Sequence, residues 1–217
     1  MPRRPAPRRI LLPPDVRRQQ LLDAAIHVFA RKGYRNTSIA DVIARAGVAR
    51  GTFYLHFPGK EQIFGAIVAA FHDRVKSALE ALDDAAEDVR AAGPRAVLEA
   101  SFRAWLGLFA GHRDAARVVL REARAIDPRF EQGFADLRRL AVSHFAARFR
   151  TLQRLGAVRA DIDPDLAAHL QLGMFDELLN AFVIDRRRAD LDRLAGRLAD
   201  FEWNGIRPWA PRSRRME

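Results

Sequence analysis

The chain has 217 residues, 49% of them hydrophobic, with 37 Lys and Arg against 27 Asp and Glu and no cysteine. That length can bury a real core, as one large domain or two modest ones, and the lack of cysteine excludes disulfides and thiolate metal sites. The charge is lopsided: residues 1–60 carry 12 Lys and Arg against 3 Asp and Glu, residues 61–217 carry 25 against 24. A codon bias toward arginine would raise the count everywhere. A basic first quarter beside a nearly neutral remainder instead points to a polyanion partner such as nucleic acid. The start, "MPRRPAPRRILLPPD", has only "ILL" as its apolar part, and no apolar run approaches the roughly 20 residues that cross a bilayer. A cytoplasmic protein without membrane association is expected.

In chain order, residues 1–14 read as a disordered Pro/Arg-rich arm. Pro14 and Asp15 start a helix on which Leu22, Ala25, Ile26 and Phe29 share a face, and Gly33 ends it with Arg31 and Lys32 in its last turn. Thr37 or Ser38 then caps a short helix, "IADVIARA", with Ile39, Val42 and Ile43 inward and Gly47 at its end. A third helix carries "ARGTFYLHF" before Pro58 and Gly59. From Lys60 a long helix repeats Ile63, Phe64, Ile67, Val68, Phe71, Val75, Leu79 and Leu82 at three- and four-residue intervals. The acidic, alanine-rich residues 83–93 read as a fraying end or loop. Later helices are expected at Pro94–Ala110, Arg113–Ile126, Pro128–Leu155, Pro164–Arg187 and Asp190–Ile206. The count is about nine, with no strand pattern and no internal repeat.

Two short helices joined by a turn containing Gly47 have helix-turn-helix spacing. In the second of them, Phe53 and Phe57 lie four apart and pair as core. Thr52, Tyr54 and His56 are left toward other faces, able to reach phosphates or thymine methyls. Gly51 removes a side chain where the backbone would approach a groove. Lys60 beside the free N–H groups of the fourth helix offers a phosphate seat, and Thr37 and Ser38 offer another. Simple capping, or a solvated lysine, explains each of these singly; their joint placement favours DNA.

The string Phe29, Gly33, Tyr34, Thr37, Ser38, Ile39, Ile43, Ala44, Ala46, Gly47, Val48, Gly51, Thr52, Tyr54, His56, Phe57, Lys60 and Glu61 resembles the DNA-binding domain of the TetR/AcrR family of transcriptional regulators. The resemblance covers about residues 15–75, with the helix-turn-helix at about 39–58. It implies an all-α protein with a three-helix DNA reader, joined by a long helix to a helical effector-binding and dimerisation domain over residues 76–208, and a tail at 209–217. It further implies a homodimer on a palindromic double-stranded operator, acting as a repressor released by a small molecule. By the same resemblance Thr37 or Ser38 contacts phosphate, Arg50, Thr52 and Tyr54 meet base edges and phosphates in the major groove, and His56 and Lys60 meet the flanking backbone. Ala49 and Gly59 depart from the pattern, each standing where a hydroxyl or carboxylate cap is usual. Arg3, Arg4, Arg8 and Arg9 form an arm able to enter a minor groove, or simply a disordered start.

In the second domain, Leu166, Leu170, Met174, Leu178 and Phe182 recur at four-residue spacing, the pattern of a dimer seam or of a plain core. The resemblance implies pairing of the last two long helices with their copies. Phe102, Trp105, Phe109, Phe130, Phe134, Phe145, Met174 and Phe175 are the expected pocket rings and side chains, suggesting an apolar or aromatic effector. His144, His169, Asp176 or Glu177 are the expected polar groups. No enzyme is expected. "FPGKE" lacks the phosphate-loop glycine spacing, the six histidines form no metal pair, and no Glu-x-x-His occurs. Neither cofactor nor metal is expected. The rival reading is a helical DNA-binding regulator or interaction module with no small-molecule effector.

Overall fold

The computed structural model describes residues 13–81, 91–126, 128–184 and 190–208. Among these, nine α-helices can be delimited and no strand occurs, the all-α class expected. The basic arm through Leu12, residues 82–90 and the tail 209–217 lie outside them. The chain forms two compact units, dividing between Ile67 and Val68, earlier than the expected break after residue 75.

The first unit holds α1 (Pro14–Lys32), α2 (Ile39–Ala46), α3 (Arg50–His56) and the start of α4 (Lys60–Glu80). Proline at the first helical position of α1 removes an N–H that would have no partner there. Gly33 stops α1 at φ 77°, its N–H bonding the Phe29 oxygen. The buried face of α1 is broader than the sequence pattern suggests: Leu21, Leu22, Ala24, Ala25, Val28 and Phe29 are buried, whereas Ile26 is half-exposed. Ser38, not Thr37, caps α2 through a reciprocal capping box with Asp41, and Gly47 ends the helix in the left-handed region at φ 65°.

The break falls inside α4 because its apolar stripe changes partners. Phe64 packs its edge on Phe29 at 5.8 Å and on Tyr34 at 4.9 Å. Two turns on, Phe71 meets Phe109 at 5.6 Å.

The second unit adds α5 (Pro94–Gly111), α6 (Arg113–Ile126), α7 (Pro128–Arg154), α8 (Pro164–Leu178) and α9 (Leu191–Ile206). Asp163 and Asp190 cap α8 and α9 with their carboxylates, as first-turn geometry favours. After Leu178 the chain continues as a π-helical segment, Leu179–Ile184, where an uninterrupted α-helix to Arg187 was expected. Fully buried Ala195 and Ala199 let α9 approach α5 closely, and Arg95–Asp200 and Arg103–Asp192 pairs lace the same two helices at 2.7 and 2.6 Å. These pairs are exposed and contribute little.

One polar group interrupts this core. Ser101 of α5, Arg148 of α7, Gln171 of α8 and Glu202 of α9 meet in the interior. Arg148 Nη1 donates to Ser101 Oγ at 2.7 Å and Gln171 Nε2 donates to Glu202 Oε2 at 3.3 Å. Glu202 Oε1 has no partner among the described residues, and burial raises its carboxyl pKa to about 7 against the pull of Arg148 and Gln171.

Candidate nucleic-acid interface and effector cavity

Helix α3 is seven residues long, too short to persist alone. It is held by Phe53, fully buried, and by Phe57 just past its end at 3% exposure, with ring centroids 6.1 Å apart. Arg18 of α1 lies over the Phe57 ring at 5.2 Å. This anchoring is the core role expected for both rings. It leaves Arg50, Gly51, Tyr54 and Leu55 exposed, with Thr52 and His56 half-exposed on the flanks. Arg50 sits over the Tyr54 ring at 5.8 Å, so the cation and the phenol share one face. A Cβ at Gly51 would meet nothing within 4 Å. No protein neighbour therefore demands glycine there, and the bare backbone is open to an outside partner. Ala49 occupies the N-cap without a side-chain bond, so the expected loss of that cap is real.

Leu55, passed over in the sequence pattern, is 84% exposed on this helix. The signal was there: a leucine one residue from each of two outward-facing side chains cannot share the Phe53–Phe57 face.

Two residues expected to contact phosphate are engaged within the fold. Thr37 is 2% exposed and its hydroxyl donates to the Gly33 oxygen at 2.7 Å, so it locks the turn before α2 rather than facing outward. Lys60 Nζ donates to the oxygens of Tyr34 and Thr37 at 2.9 and 2.8 Å and stands 4.4 Å from the Tyr34 ring centroid. Two of its three ammonium donors are thus engaged inside the fold. Ser38 remains exposed at the start of α2, but its hydroxyl bonds Asp41 Oδ2 at 2.8 Å. The Lys32 ammonium at 2.6 Å, helped by the Ser38 bonds, holds the Asp41 carboxyl well below the usual carboxylate range.

In the second unit a partly enclosed cavity of about 300 Å³ opens between α4, α5, α6, α7 and α8. Trp105, Phe109, Phe134, Phe145 and Phe175 form its aromatic wall, as expected. Phe71 and Val75 of α4, Leu120 of α6, and Arg138, Asp176 and Asn180 complete it; of the polar groups only Asp176 was foreseen. Two expected members do not reach it. Phe102 is 1% exposed and packs behind Phe175 at 5.0 Å, and Met174 points to the opposite side of α8. Phe130, His144, His169 and Glu177 are likewise not part of the wall.

Met174 instead joins a surface groove between α8 and α9 with Leu166, Leu170 and Phe201. Leu166, Leu170 and Phe201 are 58%, 66% and 75% exposed, a contiguous apolar face unusual for water. Leu178 is half-exposed, and the Phe182 side chain lies outside the described residues. Among the described residues no cluster of three His, Cys, Asp or Glu could hold a metal, and no helix is long and apolar enough to cross a membrane.

Residues 21–67 match the family model for bacterial regulatory proteins of the tetR family, and residues 91–180 match that for the tetracyclin repressor-like C-terminal domain. The fatty acid metabolism regulator protein of Bacillus subtilis (strain 168) is 25% identical over 187 residues, spanning 86% of this chain and 94% of that protein. The HTH-type transcriptional repressor DhaR of Mycobacterium sp. (strain GP1) is 26% identical over 180 residues, 81% and 87% of the two chains. Among solved structures, the transcriptional regulator FadR from Bacillus subtilis in complex with stearoyl-CoA superposes with a TM-score of 0.67 at 24% identity, covering 87% of this chain and 98% of that one.

Proposed function

Because the chain belongs to the TetR family of transcriptional regulators, we propose that it is a homodimeric repressor that leaves a palindromic operator when a small apolar or aromatic molecule enters its second unit. The observation that carries the DNA half is α3. Two buried rings fix a helix whose remaining side chains, Arg50, Thr52, Tyr54, Leu55 and His56, are turned outward together. Arginine and tyrosine supply donors for base edges and phosphates, leucine and the threonine methyl supply apolar contact to thymine, and Gly51 lets the backbone come close. Ser38 adds a hydroxyl at the flank. Thr37 and Lys60 are left out of this contact set.

The cavity supports the effector half. Its wall is mostly ring carbon with few polar groups, the composition of a small-molecule site. Helix α4 supplies Phe71 and Val75 to that wall and begins at Lys60, which braces the turn before α2. A ligand that displaces Phe71 therefore acts on the helix that also organises the reader. Apolar exposure at Leu166, Leu170 and Phe201 supports pairing of α8 and α9 with a second copy. The stearoyl-CoA bound by the Bacillus subtilis FadR makes acyl compounds one class to test.

Selection of bound sequences from random duplex DNA tests the reading. Enrichment of an inverted repeat with half-sites about one helical turn apart is expected; no enriched motif would sink it. A thermal-shift screen of apolar compounds, with hits tested for operator release, examines the effector half separately.

A further inference from the structure

Two adjacent residues hold α4 in the second unit. Phe71 meets the Phe109 ring of α5 at 5.6 Å, and His72 meets the Phe134 ring of α7 at 5.0 Å with 84° between planes. The first is a plain apolar ring pair. The second brings a half-buried imidazole onto the place in α7 where Gly133 carries no side chain.

Gly133 lies inside α7, where glycine is a poorer helix former than alanine because its backbone loses more freedom on ordering. It is not in the left-handed region, so its conformation does not demand glycine. The space around it does. A Cβ there would stand 2.9 Å from His72 Cε1 and 3.3 Å from His72 Nδ1. Carbon atoms in contact settle at about 3.5–4.0 Å, so the imidazole rests on bare backbone and a methyl group would drive the two apart. Gly107, Gly173 and Gly205, also within helices, would meet nothing within 4 Å.

The ring is placed for fit rather than for a polar bond. His72 Nε2 is buried with no partner among the described residues, a cost that the packing has to offset. Burial lowers the imidazole pKa against the pull of Asp73, so the ring sits there neutral. Helix α4 is unbroken from Lys60 to Glu80. A displacement at His72 is therefore passed along about three turns to Lys60, which braces the turn before α2.

Given the operator-binding reading above, we propose that His72, seated on the bare backbone of Gly133, is the positioning contact that holds α4 in its DNA-binding placement. Neither residue touches DNA.

Gly133→Ala adds one methyl at the seat and improves helix propensity, so the fold should persist, as its thermal midpoint will show. With no ligand added, its affinity for the selected duplex should fall roughly tenfold, the scale of an overpacking strain carried into binding. Random-duplex affinity depends mainly on phosphate charge and should stay within about twofold. In His72→Ala the ring is gone, and adding Gly133→Ala to it should have no further effect. This double-mutant cycle separates the seat from any other consequence of a methyl on α7.

Wild-type affinity for the selected duplex in folded Gly133→Ala overturns the proposal. So does a loss from the methyl that is the same with and without His72, or the same on both duplexes. If Gly133→Ala does not fold, His72→Ala decides: it should lose about threefold on the selected duplex and keep its random-duplex affinity. Unchanged selected-duplex affinity in that variant overturns the proposal. A Gly133→Ala protein that binds like the wild type leaves the operator reading standing, whereas a selection that enriches no duplex removes that reading and this proposal with it.

Discussion

Lys60 Nζ donates to the backbone oxygen of Tyr34 at 2.9 Å and lies 4.4 Å from the centroid of that residue's ring. With the second bond to the Thr37 oxygen, one ammonium ties the start of α4 to the turn joining α1 and α2. Lys60→Met keeps the aliphatic stem and deletes these bonds. It should cost about 1–2 kcal/mol of stability in urea denaturation, the lower part of the range for charged hydrogen bonds because the site is only half-buried. DNA affinity should fall about equally for selected and random duplexes, and the slope of log affinity against log salt should stay unchanged. A slope reduced by about 0.9 would instead restore Lys60 as a phosphate contact.

Side chains exposed on α3 should separate stability from recognition. Leu55 is 84% exposed, so Leu55→Ala should change stability by no more than about 0.5 kcal/mol. Tyr54→Phe, Thr52→Ala and Leu55→Ala should each weaken binding to the selected duplex by about 1–3 kcal/mol and leave random-duplex binding nearly intact. Arg50→Ala also removes a cation, so both affinities should fall. Fluorescence anisotropy on the two duplexes reads all four variants. A uniform loss for Tyr54→Phe would remove that hydroxyl from sequence reading.

These two cases show what was legible in the sequence and why. Helix ends are set locally, by Gly33, Gly47, Ser38 and the Pro58–Gly59 break, so α1, α2 and α3 stop, and α2 and α4 begin, where caps and breakers predict. Phe53 and Phe57 at i and i+4 announce a buried face without further context. Which polar atoms stay free is a different matter, because it depends on chain segments folded over them. The Tyr34 and Thr37 carbonyls that capture Lys60 lie more than twenty residues away in sequence. Likewise, Phe102 and Trp105 share a helical face, but only neighbouring helices decide that Trp105 meets the cavity and Phe102 the core. The π-helical segment after Leu178 left no mark, since its apolar residues fit an α-helical period equally well.

The apolar face of α8 and α9 gives a prediction about assembly. Leu170→Asp and Phe201→Asp change exposed positions, so the folded unit should survive. Sedimentation should show the wild type as a dimer and either variant shifted to monomer at micromolar concentration, because burying a carboxylate in an apolar seam is costly. Operator affinity should fall with dimer content. A wild type that sediments as a monomer would sink the proposed seam.

Glu202 supplies a pH-dependent term whose sign can be worked out. Its carboxyl titrates at about 7 in the fold, against a reference value of 4.5, because burial opposes its charge more than Arg148 and Gln171 favour it. Between those values the folded chain binds more protons than the unfolded one, so unfolding free energy declines as pH rises. The contribution is fully present below about pH 4.5 and is lost as pH climbs through about 7, a change on the order of 3 kcal/mol. Glu202→Gln fixes the side chain in a neutral form of the same shape, next to the same Gln171 partner. Urea denaturation at pH 5, 6, 7 and 8 should show the wild type weakening with pH relative to this variant, with the two curves closest at pH 5. Parallel curves across the range would mean that Glu202 is already ionised in the fold, held by Arg148 as a true ion pair.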